Sequence, residues 1–107
     1  MITWLRSSQP SRTPRYRFYA ALEIECGSTL LQGRVCDISA EGMFIEIANP
    51  LWIGASFSAQ LALDKPLRVD CTVRWVDLER GMGVRIVVTD EESSKRFAGL
   101  LEALARK

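Results

Sequence analysis

Residues 67–77 read L-R-V-D-C-T-V-R-W-V-D. Leu67, Val69, Cys71, Val73 and Trp75 fall on one side, with Arg68, Asp70, Thr72, Arg74 and Val76 on the other. A period of two is what a strand needs to bury one face and wet the other. The same period recurs along the chain. Leu22, Ile24 and Cys26 alternate with Glu23 and Glu25, and residues 30–38 continue the pattern. Met43, Ile45 and Ile47 oppose Phe44 and Glu46. Phe57, Ala59, Leu61 and Leu63 oppose Ser58, Gln60 and Ala62, and residues 83–88 read G-V-R-I-V-V. Turn chemistry separates the segments: Gly27-Ser28, Asp37 to Gly42, Asn49-Pro50, Gly54, Asp64-Lys65-Pro66 and residues 78–82. Six short strands with short connections predict an all-β small barrel or sandwich, mostly antiparallel. The expected interior is Leu22, Ile24, Val35, Ile45, Phe57, Leu61, Val73, Trp75, Val84 and Ile86.

The two ends depart from this period. Over 91–104, Phe97, Leu100, Leu101 and Leu104 share one side at helical spacing. Asp90 or Thr89 can cap such a helix, and Thr89 with Glu92 has capping-box spacing. Glu91 and Glu92 at its start, with Arg106 and Lys107 at its end, suit the helix dipole. The helix is expected to close one mouth of the barrel, the alternative being a helix held out for a partner. Residues 1–17 are different again. Pro10 and Pro14 force extended geometry on their neighbours, and Arg6, Arg12, Arg15 and Arg17 are accompanied by no acid. The arm carries +4, whereas the other 90 residues hold ten bases and thirteen acids, −3. The chain therefore divides into a flexible basic N-terminal arm, 1–17, and one domain, 18–107.

Several functions are disfavoured at once. There is no His, which removes the usual general base and the His-dependent zinc sites. No Ser lies in a G-x-S-x-G context, and nothing assembles a base, nucleophile and oxyanion site, so no enzyme, no catalytic residue and no metal site is expected. Cys26, Cys36 and Cys71 lie in alternating apolar segments and read as small buried hydrophobes. No apolar run approaches the ~20 residues needed to span a bilayer. The N-terminus lacks the features of a signal peptide. A cytoplasmic location is the expectation.

One turn and the arm carry the chemistry. Asp37-Ile38-Ser39-Ala40-Glu41-Gly42 places a carboxylate, a hydroxyl and a glycine around a hairpin. The guanine Hoogsteen edge offers two acceptors, N7 and O6, that an arginine fork fits, and the same fork fits two phosphate oxygens. The guanine N1–H and N2–H₂ donate, and a carboxylate accepts both. Arm arginines plus Asp37 therefore suit a guanine nucleotide. Ser39 contacts phosphate or holds the turn, and Gly42 permits the bend and close approach. The plainer reading is a turn with Asx and Ser bonds beside a solvated arm.

The chain resembles the PilZ domain family over roughly residues 11–104. Asp37 to Gly42 matches its D/N-x-S-x-x-G motif, and Gly81-Met82-Gly83-Val84-Arg85-Ile86 matches its later G-x-G-V-x-F/I strand. The resemblance implies a six-stranded antiparallel β-barrel with a C-terminal α-helix that binds the bacterial second messenger cyclic di-GMP, with arm arginines wrapping the ligand. No other cofactor is implied. The family's first motif, R-x-x-x-R, is met only in part: Arg15 fits the second arginine, but position 11 is Ser. Arg12 and Arg17 are neighbouring cations able to assist.

The expected ligand site is therefore Arg12, Arg15, Arg17, Asp37, Ser39 and Gly42. The expected function is that of a single-domain effector whose arm orders over the ligand and presents a new surface to a partner protein. Ser11 motivates a second reading, a nucleotide-blind adaptor contacting partners through Trp4-Leu5, Leu51-Trp52-Ile53 or Phe97. A third is a small barrel that stacks single-stranded nucleic acid on Tyr16, Phe18 and Tyr19. The acidic body offers that third reading no continuous basic groove. If the ligand binds, the thinned cation cluster favours one molecule per chain over an intercalated pair.

Overall fold

The computed structural model describes residues 13–107. Six strands follow in order: β1 (Tyr16–Cys26), β2 (Thr29–Ile38), β3 (Gly42–Glu46), β4 (Ser56–Leu61), β5 (Leu67–Asp77) and β6 (Gly81–Val87). A helix, α1 (Glu91–Ala105), ends the chain. The strands close into a barrel in the order β1-β2-β3-β6-β5-β4, and every neighbouring pair is antiparallel. The six strands and the helix stand where the periodicity places them. β1 starts at Tyr16, so Tyr16 and Arg17, read as arm residues, are strand residues. Arg12 and Ser11, with Trp4 and Leu5, lie outside the described residues.

Alternation builds the interior. Leu22, Ile24, Val35, Ile45, Phe57, Leu61, Val73, Val84 and Ile86 are all buried as expected. They are joined by Ile38, Met43, Leu67, Val69 and Met82. Buried apolar area contributes roughly 25 cal/mol per Å², so this interior is the main source of stability. Cys36 and Cys71 are buried and Cys26 is half-buried, all three as thiols. Burial pushes the Cys71 thiol up to about 12, which leaves it inert at neutral pH.

Trp75 is the exception. It was expected inside, and it is 50% exposed. The β5–β6 register shifts between Val73 and Trp75. Such a bulge adds one residue to one strand and turns every later side chain to the opposite face. Val73 points in, and after Arg74 the parity is reversed, so Trp75 stands outside.

Asp90 caps α1: its side chain accepts from the Ser93 backbone N–H at 2.8 Å. Phe97 is buried, with Leu100, Leu101 and Leu104 packed beside it on the core. The Arg96 guanidinium donates to the Pro66 carbonyl at 2.9 Å and to that of Lys65, tying the helix to the β4–β5 turn. The helix therefore rests against the barrel beside β1 and β5. It is not held out for a partner, and Phe97 is core rather than contact surface. No helix among the described residues is long and apolar enough to cross a membrane.

Candidate functional site

The site begins with the turn between β2 and β3. Ser39 is the single polar residue buried in the described structure, at 1% exposure. Its Oγ accepts from the backbone N–H groups of Glu41 and Gly42, each at 3.2 Å, and donates to the Gly42 carbonyl at 3.3 Å. The Ser39 backbone N–H also donates to that carbonyl, at 2.8 Å. The hydroxyl thus bonds within its own turn. Gly42 packs against β6: a Cβ there would stand 2.2 Å from the Val84 carbonyl oxygen. Its bare backbone admits a neighbouring strand. The turn is also tied to β6 by the Ile86 N–H, which donates to the Glu41 carbonyl at 2.8 Å.

Arg15 immediately precedes β1, and its guanidinium donates to the Asp37 carboxylate. The two side chains remain 48% and 37% exposed. An exposed pair of this kind adds little stability. What it shows is reach: the arm arginine and the turn carboxylate meet across 22 residues of chain. From Asp37 a single row crosses the outside of the barrel. Arg17 pairs with Asp37, Asp37 with Phe44, Phe44 with Gly83, and Gly83 with Trp75. Phe44 faces outward yet is 2% exposed. It is covered by the Trp75 indole, stacked at 5.2 Å, and by the Arg80 guanidinium at 4.7 Å. Gly83 makes room for the indole, since a Cβ there would lie 2.1 Å from Trp75 Nε1.

Beside this row lies an open cavity of about 830 Å³, within the range of roughly 300–1,000 Å³ usual for small-ligand sites. Arg15 and the 39–42 turn form one side. Arg74 and Trp75 of β5 and Gly83 and Arg85 of β6 form the other. Three guanidiniums, one indole and the Glu41 carboxylate therefore converge on one concave surface. That combination suits a planar, hydrogen-bonding, anionic molecule.

The PilZ domain family model matches residues 9–103. The chain belongs to the PilZ domain family. A comparison with curated proteins gave no match. Among solved structures, the chain is similar to the "PilZ domain with c-di-GMP of YcgR from Escherichia coli", at 14% identity and TM-score 0.71, over 92% of this chain and 93% of that one. It is similar to the Bacillus subtilis inhibitor of motility, MotI/DgrA, at 18% identity and TM-score 0.71, over 92% of this chain and 51% of that one. It is also similar to MrkH, described as a c-di-GMP-dependent transcription regulatory factor, at 15% identity and TM-score 0.71, over 92% and 52%. This chain spans about half the length of the latter two. At these identities the likeness is one of fold.

The PilZ motif residues do not all sit alike on this barrel. Arg15, Ser39 and Gly42 line the cavity. Asp37 adjoins it through its bond to Arg15. Arg17 is exposed on β1, opposite Asp37 in register, and does not line it. Sequence reasoning missed Arg74, Trp75 and Arg85. The alternation puts Trp75 in the core, and it leaves Arg74 and Arg85 on wet strand faces with nothing to connect them. The available signal was Gly83: a glycine inside a strand often marks the close approach of another group.

Proposed function

We propose that this PilZ domain binds cyclic di-GMP and acts as a non-enzymatic effector in bacterial second-messenger signalling, in the cytoplasm. The observation that carries the reading is the meeting of Arg15 and Asp37 at the edge of the cavity. Each presents one half of what guanine requires. The carboxylate accepts from N1–H and N2–H₂, and the guanidinium donates to O6 and N7 or to phosphate. Without ligand the two satisfy each other. With ligand, the base edge and phosphate replace each partner by a group of similar bonding capacity, so little is left unpaired. Ser39 and Gly42 hold the turn that aims Asp37, and Arg12 and Arg17 supply flanking positive charge. The YcgR domain, whose structure is described as containing c-di-GMP, supports the same reading by its fold.

Ligand capture draws the segment before Tyr16 over the cavity, and the covered face becomes the surface read by a partner protein. Calorimetry with cyclic di-GMP tests the binding step. Wild-type protein should bind, and Arg15→Ala and Asp37→Ala should each weaken binding about tenfold or more. No heat from the wild type at on the order of tens of micromolar protein rejects the reading.

A second reading, the nucleotide-blind adaptor, is favoured by Trp52 and Ile53. They stand 67% and 65% exposed in the β3–β4 loop, where large aromatics more often serve binding than packing. Partner binding that ignores cyclic di-GMP and is lost in Trp52→Ala would support it. The nucleic-acid reading gains nothing comparable. Tyr16 and Phe18 pack against the core, and Tyr19 lies under the Arg34 guanidinium at 5.3 Å.

A further inference from the structure

We infer that Arg74 and Arg85 are the phosphate-binding cations of this cavity, supplying from the barrel wall the charge that Ser11 withholds from the arm. The inference rests on the cyclic di-GMP reading and extends it to Arg74, outside the family motifs, and to Arg85, at a variable position of the G-x-G-V-x-F/I strand. The distribution of ion pairs carries it. Arg15, Arg34, Arg68 and Arg106 each hold a carboxylate, as do Lys65 and Lys95. Arg80 is spent on Phe44, and Arg96 on the Pro66 and Lys65 carbonyls. Of the described arginines, that leaves Arg17, Arg74 and Arg85, which have no carboxylate within ion-pair distance. All three are exposed, and of these Arg74 and Arg85 line the cavity while Arg17 does not.

Their placement follows from the strands. Arg85 pairs with Gly42 across the β3–β6 ladder and with Thr72 across the β5–β6 ladder. It therefore rises beside the turn with no bulky neighbour on β3. Arg74 is the residue at which the β5–β6 register shifts. A bulge residue is left unpaired and re-aims its side chain, here into the cavity beside Trp75.

The charges also balance. Arg15 is matched by Asp37 without ligand and is released in the complex to the guanine edge, so its fork is not free for phosphate. Two guanidiniums with no carboxylate remain in the cavity, and cyclic di-GMP has two phosphates. Each phosphodiester presents two oxygens that an arginine fork meets bidentately. The Glu41 carboxylate, which also lines the cavity, repels the same phosphates and holds the affinity down.

Titration of the full chain with cyclic di-GMP tests the assignment. The variants are Arg74→Ala, Arg85→Ala, both arginine-to-lysine forms and Glu41→Gln. Arg68→Ala, whose side chain pairs with Glu25 away from the cavity, is the control. Each alanine variant should weaken binding about tenfold or more, with melting temperatures close to wild type. The lysine variants keep the charge and lose the fork, so they should fall between alanine and wild type. Glu41→Gln should bind more tightly than wild type, and Arg68→Ala should match it. A wild type that binds, with Arg74→Ala and Arg85→Ala both within about twofold of it, overturns this assignment and leaves the cyclic di-GMP reading standing. A wild type that does not bind overturns the reading itself and the assignment with it.

Discussion

Gly42 and Ser39 divide the work of a single turn. The hydroxyl ties its loop together from inside, while the glycine yields its volume to the Val84 carbonyl. Gly42→Ala forces a Cβ against backbone, which cannot swing aside as a side chain can. We expect about 1–3 kcal/mol of destabilisation, measured by urea unfolding. A neutral Gly42→Ala would mean that β3 and β6 do not approach as described. Gly83 makes an instructive contrast, because its added Cβ would meet a half-exposed indole rather than a backbone. The Asp–Ser–Gly spacing was legible in the sequence because each residue type has a local task. Arg74 and Arg85 were not, because an arginine on a wet strand face looks the same whether it meets solvent or a ligand. Their meaning depends on which strand lies next door, and that is a property of the closed barrel.

Elements were the most legible level. The alternation in 67–77 marked β5 residue for residue, and the spacing of Phe97, Leu100, Leu101 and Leu104 marked α1 to within a residue. What the alternation concealed was the bulge. It runs unbroken through Arg74 and Trp75, so nothing in β5 alone announces the change of face. Pairing with β6 decides it, and Gly83 receives the displaced ring. The start of α1 supports a prediction about pH. Hydrogen bonding from the Ser93 backbone N–H holds the Asp90 carboxyl below the usual carboxylate range. A group whose folded pKa is depressed contributes its full stabilisation above its unfolded pKa, about 3.9 for Asp. That contribution is lost as pH falls through the folded value. Thermal melts should therefore show Asp90→Ala below wild type at pH 7, with the gap closing below about pH 4. A gap of constant size down to pH 2 would mean that the ionised carboxylate is not what caps the helix.

At the scale of the whole molecule, one cavity with one arm arginine and one turn carboxylate argues for a single ligand per chain. Three guanidiniums line it, one of them matched by Asp37 and all opposed by Glu41. Two intercalated ligands would bring four phosphate charges, more than that set compensates. Calorimetric titration should give a ratio near one, and a ratio near two would show that Arg12 or Arg17 closes on the ligand as well. The architecture also limits how any partner can join. Each of the six strands has a neighbour on both sides along part of its length, but β2 pairs with β3 only from Arg34 onward and β1 pairs with β4 only over Leu22–Glu25, so idle strand backbone is confined to overhanging ends. A protein that adds a strand has only those ends to pair with. Elsewhere it must read side chains: on the outer faces, in the loops or along α1. Over most of the surface, selectivity between partners then falls to residue identity, with little share carried by the generic pairing of one backbone with another.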